Sequence, residues 1–119
     1  VGNLSDDEIY QEVSNIVAPF QLLECYECAT AIVQWLKVNH IKGKIIRIKR
    51  KYRDDDFILS HRLMSQGVTD TITINAKHYG VEVLGKVFDN ISSQGMAFRD
   101  WINDFDCLSG EFNIQEREF

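Results

Sequence analysis

Residues 78–90 read HYGVEVLGKVFDN, two runs of alternating apolar and polar character around a Leu84-Gly85 pair. Such a pattern predicts a hairpin turning near those two residues. Side chains along a strand alternate between faces with period two. With a two-residue turn, Gly80 opposes Asp89 and His78 opposes Ile91, so His78 and Asp89 share a face while Asn90 points away. A three-residue loop would exchange the roles and bring Asn90 to the histidine's side. The hairpin therefore predicts an antiparallel pair of strands and favours Asp89, with Asn90 as the alternative, as the group beside the imidazole.

Upstream, period two recurs in residues 44–52, predicted as a strand with Ile46 and Ile48 inward and Arg47, Lys49 and Lys51 outward. TITIN at 71–75 reads as another strand, EFNIQ at 111–115 as a last one, and 57–68 is ambiguous between short helix and loop. Helical periods occupy the remainder. Ser5 and Glu8 have the spacing of a capping box ahead of Ile9, Val13, Ile16, Val17 and Phe20, and Pro19 ends that helix. Ala29, Ile32, Val33 and Leu36 form a second stripe ending near Asn39 and Gly43, with Cys25 and Cys28 in its first turn or just ahead. Phe98, Trp101, Ile102 and Phe105 mark a short third helix. Helices followed by consecutive strands predict an α+β fold with an antiparallel sheet.

The chain of 119 residues is long enough for one domain, 1–119, to bury a core without cross-links. Its formal net charge of −5 argues against nucleic acid as a partner, since phosphate binding draws on clustered cations. Residues 42–53, KGKIIRIKRKYR, hold seven of the thirteen basic residues. They read as a solvated strand face whose lysines discourage edge pairing, or as a docking surface for an acidic protein partner. No apolar run has the length of a membrane span and no signal peptide is visible, so no membrane association is expected.

Two cysteines three apart at a helix start suggest four chemistries. A thiol attacks as thiolate, which the unpaired N–H groups and macrodipole of a helix N-terminus favour. An imidazole must shuttle the proton and a third group must hold the ring. Cys25 or Cys28 with His78 and Asp89 meets that requirement, whereas His40 and His61 lack an obvious orienting partner. Lys77 is expected to lower the basicity of His78. Zinc is a rival, with Cys25, Cys28, His78 and Cys107 as ligands, although only one pair is short-spaced. A redox pair is another, but the βαβ order that accompanies it is missing. The last is core filling, the expectation for Cys107, Trp35, Trp101 and Phe88.

Taken in order, FQLLECYECATAIVQWL, IKGKIIRI, ITINAKHYGVEV and VFDNISSQGMAFRDWINDF resemble the second subgroup of the papain-fold toxin family of bacterial polymorphic toxin systems. The resemblance covers nearly the whole chain. It implies a papain-like fold, N-terminal helices with the nucleophile at a helix start packed on the sheet, and a cysteine peptidase or amidase such as a protein deamidase. It further implies Cys25 as nucleophile, His78 as base and Asp89 as orienter, no cofactor, a protein or peptide substrate and an immunity protein as partner. A cytoplasmic or secreted effector follows from the same likeness. The spacing in papain itself makes Cys28 the alternative nucleophile. Gln21 is the candidate oxyanion donor, but it stands four residues before Cys25 rather than the usual six before a papain-type nucleophile. A catalytically idle binding module is the alternative to an enzyme.

Overall fold

A computed structural model describes residues 3–119. The first helix, α1 (Asp6–Val17), starts as expected: Ser5 Oγ accepts from the Glu8 N–H at 3.1 Å and Glu8 Oε1 accepts from the Ser5 N–H at 3.0 Å. Both bonds satisfy donors that a helix start leaves open. The second helix, α2 (Cys25–Val38), has Cys25 as its first residue and buries Cys28, Ala29, Ile32 and Leu36. Then come β1 (Lys44–Arg50), β2 (Leu59–Ser60), α3 (His61–Ser65), β3 (Lys77–Val83), β4 (Lys86–Asp89), β5 (Ser92–Met96), α4 (Phe98–Asn103), β6 (Phe105–Asp106) and β7 (Phe112–Glu118). Strands β5-β4-β3-β1-β7 make an antiparallel five-stranded sheet, and β2 pairs with β6 apart from it.

The sheet separates two apolar layers. Val81, Val83 and Phe88 face α1 and α2, meeting Val13, Val17, Cys28, Ile32 and Leu36. On the other face Ile46, Ile48 and Val87 meet Ile58, Ile72, Trp101 and Phe105. Each fully buried side chain of this size contributes about 1.5–3 kcal/mol, so the alternation along β1, β3 and β4 is what holds helices on one side and α4 on the other.

The hairpin forms as the 78–90 pattern predicts. Val81 opposes Phe88 and Val83 opposes Lys86, leaving Leu84 and Gly85 as a two-residue turn with φ of 50° and 83°. Positive φ at both central residues is the turn whose twist suits a hairpin. Leu84 adopts it despite its Cβ, and its carbonyl accepts a hydrogen bond from the Tyr10 hydroxyl of α1.

Two expectations need correction. TITIN does not form a strand: residues 71–76 are irregular, Ile72 is buried and Ile74 is exposed. Threonine hydroxyls replace the ladder there, with Thr71 Oγ1 donating to the Ile58 carbonyl at 3.2 Å and Thr73 Oγ1 to the Lys77 carbonyl at 2.5 Å. Short polar side chains of this kind compete with strand pairing for backbone groups. Strand β1, for its part, is no edge to be guarded by lysines, since it lies between β3 and β7 with Arg47 and Lys49 half-buried. The ambiguous 57–68 stretch resolves into β2 and α3, and the last strand runs on to Glu118.

Candidate active site

His78 and Asp89 come from adjacent strands and share a face. Both are fully buried, and His78 Nε2 lies 2.7 Å from Asp89 Oδ2. The same oxygen accepts from Trp101 Nε1 at 2.7 Å, and Asp89 Oδ1 accepts from the Ile91 N–H at 2.9 Å. The imidazole lies between two aromatic rings, stacked near Trp101 with centroids 5.9 Å apart and tilted against Phe105 at 4.9 Å. Gly80 permits this approach. A Cβ there would meet Trp101 Cζ2 at 2.6 Å and Val87 Cγ1 at 2.9 Å, closer than carbon atoms pack.

Cys25 reaches this pair because β4 opposes β3 only from Val81 to Val83. The first residues of β3 are therefore unpaired on that side, and the start of α2 occupies the place. Cys25 Sγ lies 3.8 Å from the carbonyl oxygen of Lys77, the residue before His78. Among the described residues the buried His78 Nδ1 has no hydrogen-bond partner, while Nε2 is committed to Asp89. The ring is thus anchored by one nitrogen, with the other left for the cysteine side. Cys25 is itself only 5% exposed, and all three cysteines are free thiols.

Burial alone would disfavour the imidazolium, yet the hydrogen bond and charge of Asp89, with smaller contributions from Cys25, raise the pKa of His78 to about 9. Burial likewise opposes ionisation of Asp89, but the charge and hydrogen bond of His78, joined by Ser92 and Trp101, hold its carboxyl below the ordinary range. The two groups form an imidazolium–carboxylate pair at neutral pH. Lys77 does not weaken the imidazole as the sequence suggested, because strand alternation turns its side chain to the opposite face.

The two cysteines of the C-x-x-C stretch differ in kind. Cys28 is completely buried among α1, α2 and the sheet, and burial, then the charge of Asp89, push its thiol up to about 12. It packs as an apolar side chain. Gln21 sits on the surface with its backbone pinned, its N–H donating to Glu24 Oε1 at 2.6 Å and its carbonyl accepting from Asn90 Nδ2 at 2.9 Å. Among the described residues its side-chain amide makes no hydrogen bond, so it is near α2 but not locked toward Cys25. The zinc arrangement is not assembled: among the described residues no three His, Cys, Asp or Glu side chains converge as ligands. Cys107 instead lies 3.4 Å from the Glu111 carbonyl.

Trp101 was legible only as core, although a buried indole N–H needs an acceptor, and that need could have pointed to Asp89. Ser92 gave no sequence signal. It accepts from Arg62 Nη2 at 2.8 Å, and Arg62 Nε pairs with Asp104 Oδ2 at 3.1 Å, tying α3 to the start of β5 and the end of α4.

Among the described residues no helix is long and apolar enough to cross a membrane. No curated protein and no solved structure matches the chain. Residues 8–106 do match a family, described as Papain fold toxin 2, and that span holds Cys25, His78, Asp89 and Trp101. The described residues hold four helices and a five-stranded antiparallel sheet, and the chain belongs to this family of papain-like toxin domains.

Proposed function

We propose that the chain is a cysteine-dependent amide hydrolase acting on a protein or peptide, with Cys25 as nucleophile, His78 as acid and base and Asp89 as orienter. The observation that carries this reading is a buried histidine gripped through Nε2 by a carboxylate, its Nδ1 unbonded, beside a cysteine that opens a helix. An adjacent imidazolium and a helix start both favour the thiolate.

The Cys25 thiolate attacks the carbonyl carbon, forming a C–S bond while the C=O pair moves onto oxygen. The N–H of Cys25, first in α2, has no intrahelical acceptor and is one donor for that oxyanion, and Gln21 is the candidate second. As the tetrahedral species collapses, the C–N bond breaks and the His78 imidazolium gives its proton to the departing nitrogen. Water then attacks the acyl-enzyme, His78 takes its proton, and the C–S bond breaks to release the acid. A side-chain glutamine amide and a backbone amide pass through the same steps, releasing ammonia or a peptide amine respectively. Asp89 remains ionised throughout and holds the ring orientation.

Labelling with iodoacetamide across pH tests the reading, comparing wild type with Cys25→Ala, Cys28→Ala and His78→Ala. Fast labelling near neutrality is expected in wild type and Cys28→Ala, none in Cys25→Ala, and slow labelling in His78→Ala that recovers only at alkaline pH. Equal rates in wild type and His78→Ala near neutrality would refute the nucleophile assignment. The low exposure of Cys25 favours, as a second reading, an idle papain-like module that binds without turnover. That module predicts no neutral labelling of any cysteine in the folded protein.

A further inference from the structure

A groove of about 580 Å3 runs between the outer face of α2 and strands β3, β1 and β7. Its walls include Tyr26, Tyr79 and Phe119, and among the described residues its charged side chains are Lys37, Arg47 and Arg117, with no Asp or Glu. In a chain of net charge −5 that is an unusual concentration of positive charge. Alternation explains it. Arg117 opposes Ile45 and Gln115 opposes Arg47 on the α2 side of the sheet, while Glu116 and Glu118 oppose Ile46 and Lys44 and so turn to the other side.

The cations of this groove are not spent on the protein itself. Among the described residues none of the three forms a salt bridge. Lys37 stands 6.0 Å from the centroid of the Phe119 ring, and Arg47 Nε is buried without a hydrogen-bond partner. A buried guanidinium nitrogen with no acceptor is costly unless a ligand supplies one. The groove also begins next to the candidate chemistry. Tyr26 follows Cys25 and Tyr79 follows His78, and their rings meet edge to face at 5.2 Å.

We propose that this groove binds an acidic segment of the protein substrate, carboxylates on Lys37, Arg47 and Arg117 and apolar side chains against the tyrosines, leading the adjoining amide toward Cys25. The inference takes from the preceding reading only that Cys25 attacks a protein amide. A groove carrying three cations from α2, β1 and β7 beside three aromatic rings fits a polypeptide bearing several carboxylates better than a single small anion, and bidentate carboxylate binding is what arginine offers beyond simple charge. Nucleic acid is disfavoured by the negative charge of the molecule as a whole.

Binding is measured on full-length Cys25→Ala protein by fluorescence anisotropy, using a short Asp/Glu-rich peptide, its Asn/Gln counterpart, a Lys-rich peptide and a single-stranded oligonucleotide of equal length. Selective binding of the acidic peptide is expected, weakening with added salt. Reversal of two surface charges, Lys37→Glu with Arg117→Glu, should weaken it about tenfold or more. Lys37→Gln with Arg117→Gln, gentler changes at exposed positions, should weaken it about threefold or more, with circular dichroism confirming the fold. Equal binding of the Asn/Gln peptide, tighter binding of the oligonucleotide, no binding of the acidic peptide, or charge variants that bind as well as the parent would each overturn the proposal. Iodoacetamide labelling of wild type reports the catalytic reading separately: peptide binding without His78-dependent labelling leaves the groove and removes the enzyme, and the reverse removes the groove alone.

Discussion

Replacing Asp89 by Asn keeps the shape of the side chain and removes its charge, which isolates what the carboxylate does for His78. The pKa of His78 stands at about 9 against an ordinary 6.5. That difference corresponds to roughly 3 kcal/mol of preference for the imidazolium, achieved against the opposing effect of burial. Asp89 accepts from His78 Nε2, from Trp101 Nε1 and from the Ile91 N–H. An amide cannot serve all of them: with its oxygen toward His78 and Trp101, its NH2 confronts the Ile91 N–H, and when flipped it confronts the indole. One buried donor stays unpaired in either orientation, costing about 1–3 kcal/mol. The imidazolium contribution is fully present below the unfolded pKa near 6.5 and is lost as pH rises through about 9. The Asp89 contribution has the opposite limit, being present above its ordinary 3.8 and lost as pH falls below it. Asp89→Asn should therefore lose about 4 kcal/mol or more of unfolding free energy at pH 6 in urea titrations under reducing conditions, shrinking by about 3 kcal/mol at pH 10, where only the unpaired donor still counts. A loss under about 1 kcal/mol at pH 6, or one that does not change between the two pH values, would refute the buried ion pair. Histidine NMR titration gives an independent check, with a His78 resonance in wild type still protonated at pH 8 and a lowered midpoint in the variant.

Two further substitutions probe the surroundings. Gly80→Ala places a methyl 2.6 Å from Trp101 Cζ2 and 2.9 Å from Val87 Cγ1; it should destabilise by about 1–3 kcal/mol and shift the tryptophan emission as the indole moves from Asp89, and an unchanged thermal midpoint would contradict the packing. Cys28→Ser buries a hydroxyl in the layer between α1, α2 and the sheet, so about 1–3 kcal/mol of stability should be lost while one cysteine still labels rapidly at neutral pH. Loss of that labelling in a folded Cys28→Ser protein would move the nucleophile to the second cysteine.

The chain itself determined what depends on neighbours a few residues apart. Ser5 and Glu8 marked the start of α1, the 29–36 stripe marked α2, and the alternation along 78–90 narrowed the partner of His78 to Asp89 or Asn90, a choice that the two-residue turn in the structure makes in favour of Asp89. These are consequences of helical and strand period, legible without knowing what packs where. The tertiary structure alone decided that the start of α2 occupies the unpaired side of β3, putting Cys25 beside His78 while Cys28 goes into the core. It also turned Trp101 from core filling into a donor to Asp89, denied the TITIN segment a strand partner and sorted the charges of β1 and β7 between faces. The physical reason is one of range: periodicity tells which way a side chain points from its own element, but only long-range packing determines what stands opposite, and burial beside that neighbour sets the chemistry of the group.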